Sequence, residues 1–299
     1  MNKATASSAM LRAATPYGFL LPALLVTALV ILFPVLQTAW YSLHEYVLYD
    51  PDNFRFVGLR NFATALSDEV FWIALANSAI WVSGIVFLQL LLGLGAALLL
   101  NQSFWWRGLA RALVIIPWAL PSVIIGLMWT WIYDFNLGVF NDILLRIGLI
   151  SAPHPWLAQP STALACIMLA LVWQGFPFFT VTILAGLQTV PHELYEAAEI
   201  DGANAWRQFL HVTMPSIAGI VATAVLLRII WVANSLDVIL VMTGGGPGYA
   251  THTLPLYAFL RAYTGMEFGY AASLSLMLTA ILLGIVWLYV RRQAGELEK

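Results

Sequence analysis

Lysine is almost missing from this chain. Of 299 residues only Lys3 and Lys299 are lysines, and a Walker-type phosphate loop needs a lysine directly after its glycines. If ATP drives this protein, another chain must bind it. Charge of either sign is scarce too: 9% of residues are charged and the net charge is −2, against roughly 25% charged in soluble domains. Neither the balance nor any basic tract supports a nucleic-acid partner. The single cysteine, Cys166, lies in an apolar run and excludes an internal disulfide; it reads as a small packing residue. There is no HExxH and no GxSxG, and His44, His154, His192, His211 and His252 are scattered without metal-ligand spacing. No catalytic centre, metal or cofactor is expected in this chain.

What is abundant is apolar surface, at 61% of residues. Runs this long and this many point to the bilayer as solvent. Six windows meet the span length of about 20 residues: 17–41, 71–100, 110–133, 161–188, 214–242 and 270–290. The first exceeds a signal peptide's apolar core and shows no convincing cleavage site, so it reads as an uncleaved span. The expected architecture is an all-α integral membrane protein. Residues 1–16 form a cytoplasmic segment, 17–290 a six-helix transmembrane domain and 291–299 a cytoplasmic tail.

Positive charge sets sidedness. With the amino terminus inside, Lys3, Arg12, Arg107, Arg111, Arg207, Arg291, Arg292 and Lys299 fall in cytoplasmic segments, and Arg55, Arg60, Arg146 and Arg261 outside. That balance places both termini in the cytoplasm. Tryptophans 105, 106, 131 and 156 sit near span ends, as an interfacial belt requires. Phe140, Ile143, Leu144 and Ile147 recur at helical spacing and predict a short interfacial helix in an outer loop.

The cytoplasmic loop 189–213 is unusual. Glu193, Glu196, Glu199 and Asp201 cluster there, in a chain that has few acids. Pro191 suits a helix start, and the three glutamates share one face. Gly202 suits a helix stop, and Asn204 can cap a second helix from Ala205. Two short helices joined by a glycine elbow are expected, presenting Leu194, Ile200, Trp206 and Phe209 beside the acids. Acids on the positive side of a membrane call for basic groups on another chain. A docking surface fits better than a solvated loop.

Glu196-Ala197-Ala198, then Gly202, then Val212-Thr213-Met214-Pro215 resembles the EAA signature of binding-protein-dependent ABC importer permeases, with valine and methionine replacing the usual isoleucine and leucine of its ending. The resemblance extends along the chain. Phe56-Val57-Gly58-Leu59-Arg60-Asn61-Phe62, Pro117 to Ser122, Trp173 to Pro177 and Asp237 to Pro247 resemble the carbohydrate-uptake subfamily, maltose and glycerol-phosphate type, first permease subunit; Leu236 replaces a phenylalanine of the last block. It implies a type I importer fold and a second related permease subunit. It also implies two cytoplasmic ATPase subunits holding ATP and Mg, and an extracytoplasmic binding protein that delivers a sugar at a bacterial inner membrane. Outer loops 134–160 and 243–269 are loosely expected to meet that binding protein. The elbow would dock on the ATPase through Glu196, Ala197, Ala198, Asp201, Gly202 and Pro215.

Polar groups inside the spans are the other candidates, because an ionised side chain at the bilayer centre costs about 2.5–3.5 kcal/mol on insertion scales. Arg228, Asn234, Ser235 and Asp237 all fall in the fifth window, and Arg228, Val232 and Ser235 share a helix face with Trp231 beside it. Arg228 reads equally as a substrate contact or as an internal tie, and Asp237 reads as snorkelling outward near the span's end. The resemblance carries sugar contacts onto Trp118, Ser122, Leu171, Gln174, Gly175, Arg228, Val232 and Ser235. Leu171, Gly175 and Val232 offer no polar side chain, so selectivity would rest on the others or on the partner subunit. Arg228 leaves both neutral and anionic sugars open. A secondary transporter or channel would need coupling carboxylates in the bundle, and only Asp237 lies in a span.

Overall fold

A computed structural model describes residues 20–297. The segment 1–16 with Lys3 and Arg12, the first residues of the 17–41 window, and Lys299 lie outside the described residues. The chain divides into two compact units, residues 20–67 with Leu260–Met277, and Asp68–Phe259 with the segment from Leu278 onward.

In the first unit, α1 (Leu20–Ser42) is apolar and none of its most apolar window is buried. A π-helical turn at Ala28–Leu32 precedes Pro34. Proline has no N–H to donate one turn back, and a wider turn accommodates the missing bond. Beyond it, β1 (His44–Glu45) pairs antiparallel with β2 (Arg55–Phe56). Asn61, on α2 (Arg60–Ser67), donates to the carbonyls of Ser42 and His44 at 2.8 and 2.9 Å and pins this corner.

The second unit holds α3 (Glu69–Asn101), α4 (Arg107–Ala119), α5 (Ser122–Ile132), α6 (Val139–Arg146) and α7 (Pro160–Leu187). After them come α8 (His192–Ile200), α9 (Ala205–Gln208), α10 (Met214–Ala233) and α11 (Asp237–Met242). Helix α12 (Leu254–Tyr263) follows, then α13 (Phe268–Leu297), which joins this unit from Leu278 on. The most buried of the long apolar helices is α7, packed chiefly against α3 and also against α4 and α10. Its small and β-branched residues, Ala163, Ile167, Ala170 and Ile183, are fully buried and allow close approach.

Five helices among the described residues are long and apolar enough to cross a membrane, and α4 with α5 makes a sixth if that pair counts as one span. Here the structure corrects the sequence. The window 110–133 reads as one continuous span, but α4 and α5 meet at 96°. Pro121 removes a helical donor and drives Leu120 into an extended conformation, so the helix cannot run through. The window 214–242 is likewise interrupted, at Asn234–Leu236, where Asn234 Nδ2 donates to the Ile230 carbonyl at 2.8 Å. The short helix expected from the spacing of Phe140, Ile143, Leu144 and Ile147 forms as α6, whose Arg146 pairs with Asp142 one turn back at 3.0 Å.

Candidate functional site

Two features stand out in the second unit: an exposed elbow and a cavity at the middle of its helices. The elbow begins where Pro191 stops α7's extension and starts α8. Gly202 ends α8 with φ +75°. Its N–H donates to the Glu199 carbonyl at 3.0 Å, and that of Ala203 reaches back to Ala198 at 2.8 Å. This paired closure of a helix end favours glycine at the left-handed position. Asn204 then caps α9 by accepting from the Arg207 N–H at 2.9 Å.

The second helix does not stand alone as the sequence suggests. It passes through a π-helical turn, Phe209–Thr213, straight into α10. Pro215 lies in the first turn of α10 and repeats the device seen before Pro34: a proline that cannot donate backward follows a widened turn. The Tyr195 and Thr213 hydroxyls, 3.1 Å apart, tie α8 to this turn. Glu196, Ala197 and Ala198 lie on α8, and Asp201 caps its end. Glu196 sits 3.1 Å from His192 Nδ1, an exposed pair on the same helix. No residue of α8 or α9 is buried, and Ile200 and Trp206 are 87% and 65% exposed. Between the elbow and the end of α3 lies a 650 Å³ cavity lined in part by Tyr195, Glu199, Trp206 and Phe209.

The second feature is a 460 Å³ cavity whose walls come in part from the two helix interruptions at 120–121 and 234–236. The α4–α5 bend supplies Trp118, Leu120, Pro121 and Ser122. Helix α7 supplies Leu171 and Gln174, and α10 supplies Arg228, Trp231 and Val232. The interruption after α10 contributes Asn234, Ser235 and Asp237. All the expected pathway residues line it except Gly175, which lies beneath Arg228. Leu171 and Val232 reach the wall but are almost fully buried, so their lack of polar groups costs the cavity little. Gln174 Nε2 donates to the Leu120 carbonyl at 3.2 Å and lies 3.5 Å from Ser122 Oγ, which holds the bend. Trp118 and Trp231 each make an edge-type contact with the Phe178 ring, at 5.9 and 5.2 Å between centroids, and both stay about half exposed.

Asp237 belongs to this lining. It is the first residue of α11, where a carboxylate also favours the helix dipole. Sequence reasoning missed Gln89 altogether. It is a buried amide on α3 whose Oε1 accepts from Arg228 Nε at 2.6 Å. A lone amide at the centre of an apolar window was the available signal. No cluster of potential metal ligands occurs among the described residues.

A family model described as the inner membrane component of binding-protein-dependent transport systems matches residues 89–293. The chain belongs to this family. It is 38% identical over 275 residues to the trehalose/maltose transport system permease protein of Thermococcus litoralis, covering 92% of each chain. It is 34% identical over 272 residues to the sulfoquinovosyl glycerol transport system permease protein of Agrobacterium fabrum, covering 91% of this chain and 88% of that one. In fold it is similar to a subunit of a bacterial ABC transporter that imports alginate, with a TM-score of 0.83, 19% identity, and 97% and 99% of the two chains covered. A second structure of the alginate transporter, with a pentasaccharide-bound periplasmic protein, gives a TM-score of 0.81 at 20% identity and 94% coverage of both chains. The chain is a helical, multi-pass ABC importer permease.

Proposed function

We propose that this permease carries a carbohydrate through the cavity at the α4–α5 bend, and that ATPase subunits drive it through the elbow. The observation that carries the reading is the composition of the cavity wall. Indole rings offer faces for the apolar side of a sugar, and Ser122, Gln174, Asn234, Ser235 and Arg228 offer hydrogen-bond partners for hydroxyls. Its volume is within the range of small-molecule sites, about 300–1,000 Å³. The substrates named for the permeases of Thermococcus litoralis and Agrobacterium fabrum are also sugars or sugar derivatives.

A second permease would complete the cavity, since the rings of Trp118 and Trp231 are left half uncovered. Two ATPase subunits would bind ATP and Mg and meet the acids and exposed apolar residues of the elbow. A binding protein would deliver the sugar from the opposite side, at outer loops 134–160 and 243–269. Both termini and loop 189–213 would face the cytoplasm. This chain then does no chemistry. ATP binding elsewhere stabilises one of its conformations over another, and the cavity is exposed alternately to the two sides.

The test is reconstitution in proteoliposomes with a second EAA permease, an ATPase and a binding protein encoded beside it. Uptake of labelled sugars should require ATP inside, the binding protein outside, and both permeases. ATP-independent uptake by this chain alone would overturn the reading in favour of a secondary transporter or channel. Competition by neutral and acidic sugars in the same vesicles identifies the substrate class.

A further inference from the structure

Arg228 is an ionisable residue deep among apolar helices, 9% exposed, and it forms no ion pair with a carboxylate among the described residues. A buried charge is normally paired, because the unpaired form is costly. What holds it is neutral. Gln89, 0% exposed, accepts from Arg228 Nε at 2.6 Å through Oε1, and through Nε2 it donates to the Leu171 carbonyl at 2.7 Å. One amide therefore ties α3, α7 and α10 together at the level of the cavity. Gly175, one turn beyond Leu171 on α7, leaves the space the guanidinium fills: a Cβ there would collide with Arg228 Nη2 and with Gln89 Nε2. The carbonyl that Gln89 engages and the glycine that makes room are thus neighbours on one helix face.

The chemistry of this holder is specific. A glutamate in place of Gln89 would neutralise the guanidinium and would lack the donor that Leu171 satisfies. An apolar residue would leave the guanidinium orphaned. An amide alone satisfies both neighbours and leaves the positive charge at the cavity wall, where a hydroxyl-rich or anionic ligand can use it.

We propose that Gln89 is a positioning residue for transport, fixing the Arg228 guanidinium against Gly175 at the edge of the cavity. This rests on the reading that the cavity is the carbohydrate's path. Gln89 touches no substrate itself and acts only through Arg228, which makes the proposal testable by a double-mutant cycle. The variants are Gln89→Met, Arg228→Met and the double variant, each assembled with its partner permease, ATPase and binding protein in vesicles.

The maximal uptake rate is expected to fall about tenfold in each single variant and no further in the double variant. The KM for the sugar-loaded binding protein, set at the outer surface, should not move. Should Gln89→Met alone fail to assemble, the double variant is expected to assemble at wild-type level, with its uptake still about tenfold down, because removing both partners leaves no orphaned charge. Losses that multiply in the double variant would make Gln89 an ordinary packing residue and overturn the proposal. So would full activity of Gln89→Met beside an impaired Arg228→Met, or a double variant that also fails to assemble. Unchanged uptake in Arg228→Met would instead reject the pathway reading, and this proposal with it.

Discussion

Two glycine-built turns in the second unit use the same backbone and do opposite things with it. The elbow turns on Gly202, with φ +75°, and the turn 243–253, outer in the proposed orientation, on Gly244, Gly245 and Gly248, with φ of +61°, +99° and +59°. The outer turn is tied down by side chains of its own and of α3. Thr251 Oγ1 donates to the Gly246 carbonyl at 2.9 Å, and His252 Nδ1 donates to that of Gly245 at 2.8 Å. Asn77 Nδ2, reaching from the start of α3, lies within 3.0–3.2 Å of the Tyr249, Ala250 and His252 carbonyls. The elbow closes its own helix end and then leaves its side chains in the open, with Ile200 and Trp206 uncovered. Exposed apolar groups next to acids are what an interface looks like before its partner arrives. A turn tied to its neighbours by buried side chains suits a scaffold, and one that leaves its apolar side chains uncovered suits the handle proposed above.

The sharpest way to break that contrast is to load each turn with a side chain. At Gly202 an added Cβ meets nothing within 4 Å, so the local cost is the left-handed backbone, about 1–2 kcal/mol. Gly202→Asp should therefore leave the protein in the membrane at near-normal level. It should nevertheless reduce ATP-driven uptake by more than tenfold, as should the charge reversal Glu196→Lys. Uptake in vesicles, normalised to immunoblotted protein, reads both, and unchanged transport would mean the elbow is no handle. At Gly245 the outcome inverts. A Cβ there would sit 2.5 Å from His252 Cε1, and overpacking of that kind costs about 1–3 kcal/mol. Gly245→Ala should lower the melting temperature in detergent, and any loss of uptake should follow the loss of folded protein.

The elbow was legible because its signals are local: a proline before a helix, a glycine after it, an asparagine to start the next. The cavity was legible only in part. Arg228, Asn234 and Ser235 are conspicuous as polar residues in an apolar window. The bend between α4 and α5 was hidden because hydropathy counts Pro121 within a greasy run and carries no information on direction. The start of a new helix at Asp237 was hidden as well, since the helix was taken as unbroken through Asn234. Gln89 was visible as an amide, but its partner lies on another helix. Long-range pairing of that sort leaves no trace in periodicity. The outer turn's dependence on Asn77 and Ser78 is of the same kind: Ser78 Oγ accepts from the Leu254 N–H at 2.7 Å across the fold.

That dependence sets the next effect in size. Asn77→Ala removes a donor that the carbonyls of the outer turn share, and a lost hydrogen bond of this kind is worth about 0.5–1.5 kcal/mol. Hydrogen exchange of the turn should speed up measurably, with exchange at the elbow unchanged. Faster exchange at both would show that the two turns are not independent.

The smallest effect is a pH dependence confined to the outer turn. Burial lowers the pKa of His252 below its ordinary value, partly opposed by the hydrogen bond to the Gly245 carbonyl. Because the opened turn binds a proton more readily than the closed one, the closed form is favoured fully above the ordinary histidine pKa of about 6.5. That advantage is lost as pH falls through 6.5 toward the lowered value. Hydrogen exchange at 249–254 should therefore open with acidification below about pH 6.5, once intrinsic exchange is corrected for. In His252→Gln, which keeps a donor but cannot be protonated in this range, the trend should flatten.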